Sequence, residues 1–122
     1  MLPPIENVEE LLYTVFADLG VAKKYMWNKL SFHPGETGSE NGIILDDEEY
    51  KESCRITLER CPRYYGITCG IYGLMFHTVF CGETNYKKTY EAMKKELADF
   101  IDRDVTEDEA SDFCINFTEK YK

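Results

Sequence analysis

Long apolar runs are missing from this sequence, and no segment approaches the roughly 20 apolar residues that a membrane-spanning helix needs. The first ten residues, MLPPIENVEE, lack both the basic start and the apolar stretch of a signal peptide. The five cysteines are odd in number and irregularly spaced, so they do not predict a disulfide framework. We therefore expect a cytoplasmic protein with reduced thiols and without a membrane partner.

The familiar signatures of enzymes are also missing. P-loop, GxGxxG and GxSxG patterns do not occur, and there is no CxxC or HxxxH pair. A zinc site can be drawn only from scattered residues that the predicted sheet points in different directions, so we predict no metal and no cofactor. The scattered residues are His33, Cys61, His77 and Cys81. A binding protein is therefore the simpler interpretation, and an enzyme is the alternative.

Basic residues are few, with 14 Lys and Arg against 23 Asp and Glu, and the net charge is −9. A charge of this sign and size argues against a nucleic-acid backbone or an anionic membrane as the partner. It permits binding to a basic protein surface. The oligomeric state is left open by the sequence.

What is present is enough apolar material for one core. The chain has 122 residues, of which 43% are hydrophobic and 14% are aromatic. This length fits a single domain that buries roughly two thirds of the surface of its unfolded chain. We therefore expect one domain over residues 1–122.

Apolar residues alternate through the middle of the chain and predict three antiparallel strands between residues 53 and 81. A connection over residues 61–64 joins the first two strands. The predicted cross-strand pairs are Cys54 with Ile71, Ile56 with Cys69, and Leu58 with Ile67. Each pair is apolar, so the alternation of apolar and polar residues in the first strand and that in the second predict the same core face.

A two-residue turn at Tyr72 and Gly73 is predicted to join the second and third strands. The predicted pairs across this hairpin are Ile71 with Leu74, Cys69 with Phe76, Ile67 with Thr78, and Tyr65 with Phe80. In this register Phe76 belongs to the core, and the loss of its side chain would cost several kcal/mol. The alternative is one long kinked strand without a turn at Gly73, which would mix the two faces.

The opposite face of the predicted sheet carries a candidate small-ligand site around His77. Two glycines of the second strand leave a bare strip there, and glycines within strands often mark a close approach of a ligand. His77 would act as acid or base, Arg55 would hold an anion, and Glu59 or Thr68 would orient the imidazole ring. In the alternative interpretation, the glycines permit a bulge and the histidine is a structural group.

Two acidic clusters are candidate contacts with a basic partner. The first is an uninterrupted run that is typical of a solvated turn, with partner binding as the alternative. Its residues are Asp46, Asp47, Glu48 and Glu49. The second lies between residues 96 and 112, which contain eight acids and a single base, Arg103. Acids are favourable at the N-terminus of a helix, but this explains only part of the excess of negative charge. Its candidate contacts are Asp104, Glu107, Asp108 and Glu109.

An N-terminal helix is predicted where Asn7 and Glu10 form a reciprocal cap before an apolar stripe that ends at Gly20. Residues 24–33 then favour a strand because they are rich in aromatic residues and carry Met26, Leu30 and Phe32 on one parity. A polar, glycine-rich loop follows over residues 34–42. Residues 43–45 predict a further short strand.

Two more helices are predicted after the hairpin. The first is capped by Thr84 or Asn85, and its outer side changes from basic to acidic along the chain, against the helix dipole. This order favours an explanation by tertiary contacts or by function. The second begins with a capping box formed by Thr106 and Glu109. Both carry apolar stripes, so we expect them to cover the apolar sheet face.

The predicted fold class is α+β, with an N-terminal helix, a four- to five-stranded antiparallel sheet built around a central hairpin, and two C-terminal helices on one sheet face. The favoured function is a small acidic protein-binding module, such as an inhibitor or immunity-type protein for a basic partner. Two alternatives are a ligand-binding protein or enzyme that uses the site around His77, and an accessory subunit of a complex.

Overall fold

The computed structural model describes residues 26–30 and 35–122. The helix predicted between Asn7 and Gly20 lies outside the described residues, as does half of the strand predicted over residues 24–33. The elements are β1 (Asn28–Lys29), β2 (Ile43–Tyr50), β3 (Cys54–Arg60), β4 (Tyr65–Ile71), β5 (Met75–Cys81), α1 (Tyr86–Asp102) and α2 (Glu107–Lys120).

The five strands form one antiparallel sheet in the order β1-β2-β3-β4-β5. Each strand pairs with its neighbour in sequence, and short turns join β2 to β3, β3 to β4 and β4 to β5 without a crossover. The described part of the chain therefore confirms an α+β architecture with an antiparallel sheet and two C-terminal helices.

The register between β3 and β4 is the predicted one. Cys54 lies opposite Ile71, and the two further apolar pairs follow in step along the strands. All six of these side chains are buried. The turn between the strands is closed by a hydrogen bond from the Cys61 N–H to the Tyr64 carbonyl. Agreement of both alternations on one face was therefore sufficient to predict this pairing.

The register between β4 and β5 differs from the prediction by one residue. The turn contains three residues rather than two, so Ile71 lies opposite Met75 and Cys69 lies opposite His77. Gly73 has a φ of 77°, a conformation that glycine adopts without strain, and the Leu74 N–H donates to the Ile71 carbonyl at 2.9 Å. The predicted turn position is correct, but its predicted length is wrong.

This single-residue difference turns every β5 side chain to the other face. Val79 and Cys81 are buried in the core, whereas Phe76 is 75% exposed and Phe80 is 55% exposed. The prediction that Phe76 belongs to the core is therefore wrong. His77 differs from its prediction in the opposite sense: it was predicted on the outer face and lies on the face that the helices cover.

Both helices pack on one face of the sheet, which we call the helix face; the other is the open face. α1 buries an apolar stripe that was predicted from its helical spacing, including Tyr90, Met93 and Leu97, against residues such as Ile56 and Ile67. The buried side chains of α1 are Tyr90, Met93, Leu97, Ala98 and Phe100. These contacts form the single core cluster of the described residues.

The two helices begin differently. Asn85 is the N-cap of α1, but its side chain accepts a hydrogen bond from the Gly82 N–H rather than from the first turn of the helix. The N-terminus of α2 carries the predicted capping box, in which Thr106 and Glu109 bond reciprocally. Three acids occupy the first turn of α2, where the positive end of the helix dipole stabilises them.

Truncation of Phe76 in β5, compared with truncation of the core residue Ile67 in β4, tests the register between these two strands. We expect Phe76→Ala to lower the free energy of unfolding by less than about 1 kcal/mol, because most of its ring is already exposed. We expect Ile67→Ala, at a fully buried position, to cost about 2–5 kcal/mol. Urea denaturation measures both values. An equal loss of unfolding free energy in the two variants would instead support the register predicted from the sequence.

Candidate functional site

The four consecutive acids from Asp46 to Glu49 lie within β2, so their side chains alternate between the two sheet faces. Asp46 and Glu48 share a face with Ile56 and Leu58, and the other two acids lie on the open face. Only 1% of Asp47 and 3% of Glu48 are exposed. The interpretation of this run as a solvated turn is therefore wrong.

On the open face, Asp47 binds the guanidinium group of Arg55. Arg55 donates from Nε at 2.8 Å and from Nη2 at 2.5 Å to the two carboxylate oxygens, and Thr57 adds a hydrogen bond at 3.1 Å. These hydrogen bonds to Asp47 raise the pKa of Arg55. Arg55 therefore binds a carboxylate of its own chain, and its role as the holder of a ligand anion stays a prediction.

On the helix face, Glu48 joins β2 to α1. Its carboxylate accepts a hydrogen bond from the Tyr90 hydroxyl at 2.7 Å and lies 3.0 Å from the Lys94 ammonium group. Burial raises the pKa of Tyr90 well above its ordinary range, and the negative charge of Glu48 raises it further. Lys94 also lies 5.7 Å from the centre of the Trp27 ring. The buried charge of Glu48 is therefore compensated by two partners on the helix.

The remaining acids of β2 also have partners within the chain. Asp46 forms a salt bridge of 2.5 Å with Lys29 of β1, and Glu49 accepts a hydrogen bond from the Tyr72 hydroxyl at 2.5 Å. Burial, together with the bond to Glu49, raises the pKa of Tyr72 to about 12. The first acidic cluster is thus built into the fold at each of its four positions.

Glu59 anchors the glycine-rich loop to the sheet. Its carboxylate accepts hydrogen bonds from the backbone N–H groups of Glu40 and Gly42, both at 3.1 Å, and from the Ser39 hydroxyl at 3.4 Å. A Cβ atom on Gly38 would lie 2.2 Å from the carboxyl group of Glu59, so a side chain at position 38 would displace this carboxyl group. Glu59 is 1% exposed and acts as an internal acceptor for the loop.

The residues of the predicted ligand site are not brought together. Arg55, Glu59 and Thr68 lie on the open face, whereas His77 lies on the helix face, with its Nε2 against the Tyr121 carbonyl oxygen. Its ring lies edge-on to Phe117 at 6.3 Å between centroids. The one-residue register difference explains this separation, and His77 is placed as a structural group that connects β5 to α2.

The open-face position predicted for His77 is occupied by Thr78. Its hydroxyl lies 3.3 Å from the hydroxyl of Thr68, and Thr57 continues this row on β3. The predicted bare strip is partly covered, because Phe80 lies opposite Gly66 and Phe76 lies opposite Gly70. Aromatic rings over strand glycines supply the packing that glycine lacks.

An aromatic row on the open face is the feature that the sequence prediction missed. Phe76 and Phe80 project outward from β5, and Tyr64 packs edge-on against Phe80 with 4.9 Å between ring centroids. Tyr72 and Leu74 extend the exposed apolar surface at the turn. The signal was present in the alternating pattern of β5, but the wrong turn length assigned this pattern to the core.

The second acidic cluster remains at the surface. Its four predicted contacts are exposed, and Glu109 also belongs to the capping box. The predicted residues are Asp104, Glu107, Asp108 and Glu109. A shallow depression of about 320 Å³ lies beside them, lined in part by Glu96, Arg103 and Phe113. The cluster contributes to a negative field at this end of the helices.

The acidic end of α1 is explained by tertiary contacts. Asp102 accepts a hydrogen bond from the Tyr50 hydroxyl at 2.8 Å and pairs with Lys51 at 2.5 Å. Glu96 accepts from the Tyr121 hydroxyl and pairs with Lys120 at 3.1 Å. These partners offset the unfavourable position of acids near the C-terminus of a helix.

Within the described ranges, no three histidine, cysteine or acidic side chains are grouped closely enough to hold a metal ion. Cys61 and Cys81 are buried, and His33 lies outside those ranges. The described helices include none with the length and apolar character required to span a membrane.

Searches against protein families, known proteins and solved structures found no match to this chain.

Glu59→Gln tests the anchoring of the loop. Glutamine keeps the size of the side chain but offers one acceptor oxygen, so its amide N–H₂ would face backbone donors. We expect a loss of about 1–3 kcal/mol in the free energy of unfolding and faster hydrogen exchange at the Glu40 and Gly42 amides. The exposed Glu83→Gln change is the matched control. Unchanged exchange at both amides would exclude the anchoring role.

Buried thiols predict the response to alkaline pH. Burial raises the pKa of Cys54 and of Cys69 from about 9 to about 12. The unfolded chain loses these protons first, so stability is fully present below about pH 9 and falls as pH rises towards 12. We expect urea unfolding of Cys69→Ala to show a shallower decline over this range than the wild type. An identical decline would contradict this assignment. Cys114→Ala is the comparison, because burial raises the pKa of this half-buried thiol less and its removal should change the decline less.

Proposed function

We propose that this chain is a protein-binding module whose contact surface is the aromatic row on the open face. The observation that carries the proposal is the exposure of Phe76 and Phe80 beside Tyr64 on a regular, hydrogen-bonded sheet. Exposed aromatic rings are enriched at protein interfaces, where they contribute much of the binding energy. A rigid sheet also loses little conformational freedom on binding.

The charge of the chain supports a partner with a basic surface. Asp104, Glu107 and Asp108 are exposed, and none of them forms an ion pair with another residue in the described parts of the chain. With a net charge of −9, the field of the whole protein attracts basic surfaces from a distance. Such a field acts mainly on the association rate, whereas the aromatic contacts act on dissociation.

The two acidic clusters contribute differently to this proposal. Asp47 and Glu48 of the first cluster are buried and paired, so reversing their charge would damage the fold rather than the encounter. The second cluster is exposed, so it is the part of the charge that acts on a partner. An inhibitor or immunity-type protein for a basic partner fits this division of roles, and so does an accessory subunit.

The test uses a partner captured from native extract and then purified. We expect the double change Phe76→Ala and Phe80→Ala to raise Kd at least about tenfold through faster dissociation. Ile115→Ala is the matched control, because Ile115 is an exposed apolar residue on α2 rather than on the sheet. Surface plasmon resonance measures both rates. Equal dissociation rates for wild type and double variant would refute the open face as the contact surface.

Reversing the charge of exposed acids separates the long-range electrostatic effect on association from the effect of direct contacts on dissociation. We expect Asp104→Lys combined with Asp108→Lys to slow association with the same partner while leaving dissociation nearly unchanged. Rising salt should also slow association of the wild type, since exposed charges are screened beyond about 8 Å at physiological ionic strength. Association that is insensitive to both changes would show that the acidity has no role in binding.

A further inference from the structure

The two edges of the sheet are built differently. On one side β1 contains two residues, and its Lys29 is exposed and paired with Asp46. On the other side β5 contains seven residues and pairs with β4 along its whole length without a bulge. Within the described residues, no strand pairs with the outer side of β5. β5 is therefore a long, regular edge, whereas β1 is short and charged.

Natural proteins protect such edges with charged side chains, proline or bulges, because an open edge readily pairs with another strand. The sequence of β5, MFHTVFC, contains no acid, no lysine or arginine, and no proline. His77 is directed to the helix face, where it contacts the Tyr121 carbonyl oxygen. β5 therefore carries none of the usual devices against pairing.

We infer that β5 pairs in antiparallel orientation with β5 of a second copy of this chain, about a two-fold axis at Thr78. In this register, all seven residues of the strand have a partner. Phe76 lies opposite Phe80 of the second copy, Met75 opposite Cys81, His77 opposite Val79, and Thr78 opposite itself. The result is a continuous ten-stranded sheet with an isologous interface.

The open-face side chains of β5 fit this register. On the open face, the two-fold axis creates two Phe76–Phe80 pairs, and aromatic cross-strand pairs stabilise antiparallel strands. Thr78 meets its own copy and continues the row of threonines that begins at Thr57 and Thr68. A shift of two residues in either direction would set Phe76 or Phe80 opposite Thr78 instead. The pattern of β5 therefore favours one register.

The charge of the two copies determines how salt affects this association. Each copy carries a net charge of −9, so the copies repel one another at low ionic strength. Screening by salt therefore strengthens the dimer, whereas it weakens binding to a basic partner. Because salt has opposite effects on dimer formation and on binding to a basic partner, the two proposals can be tested and refuted separately.

Analytical ultracentrifugation of the full chain tests the inference at about 0.05 M and about 0.5 M salt. We expect a monomer–dimer equilibrium whose Kd falls as salt rises. Thr78→Lys places two like charges opposite each other at the axis and should raise Kd at least about tenfold. Thr84→Lys adds the same charge at an exposed position outside β5 and is the matched control.

A second measurement reports the register even if Thr78→Lys disturbs folding. In Thr78→Cys, the new thiols face each other across the axis, so mild oxidation should produce a covalent dimer, and Thr84→Cys should not. A wild type that stays monomeric at both salt concentrations would overturn the inference. So would a dimer that Thr78→Lys leaves unchanged, or protection from hydrogen exchange, in a monomer, at those β5 amides that do not donate to β4.

Discussion

The compensation of buried negative charge is the constraint on which the rest of the structure depends. Strand β2 introduces four consecutive acids into a sheet, and two of them are almost completely withdrawn from water. A buried carboxylate without a partner costs several kcal/mol, which is comparable to the whole stability of a small domain. Asp47 therefore requires Arg55 on one face, and Glu48 requires Tyr90 and Lys94 on the other. Because Glu48 binds α1, the same compensation determines where that helix lies on the sheet.

Pairs of a tyrosine and a lysine repeat this arrangement at other carboxylates. Tyr50 and Lys51 bind Asp102, and Tyr121 and Lys120 bind Glu96. A tyrosine hydroxyl donates a hydrogen bond without adding a charge, so it compensates a carboxylate while its ring packs in the core. The acidic end of α1, which is unfavourable for an isolated helix, is thereby stabilised by residues from the sheet and from α2. The exposed acids near the start of α2 contribute to the negative field of the surface.

The turn between β4 and β5 decides which surface the protein presents. A third turn residue sends Val79 and Cys81 into the core and leaves Phe76 and Phe80 on the open face. The proposed contact surface and the proposed pairing edge both lie on this strand, one through its open-face side chains and the other through its backbone. The two uses are compatible, because edge pairing leaves the outward faces of the aromatic rings accessible and doubles the length of the aromatic row.

The sequence by itself determined the strands β3, β4 and β5, both C-terminal helices, the capping box of α2 and the pairing of β3 with β4, because these follow from local alternation, helical spacing and caps. Only the tertiary structure decided the length of the Tyr72–Leu74 turn, the face of His77 and the partners of the acids in β2. A register depends on a backbone conformation that several residue types permit, and a buried charge is compensated by residues far away in the chain. Composition and spacing therefore do not reveal the strand register or the partners of the buried charges. Both depend on which side chains meet when the helices pack on the sheet.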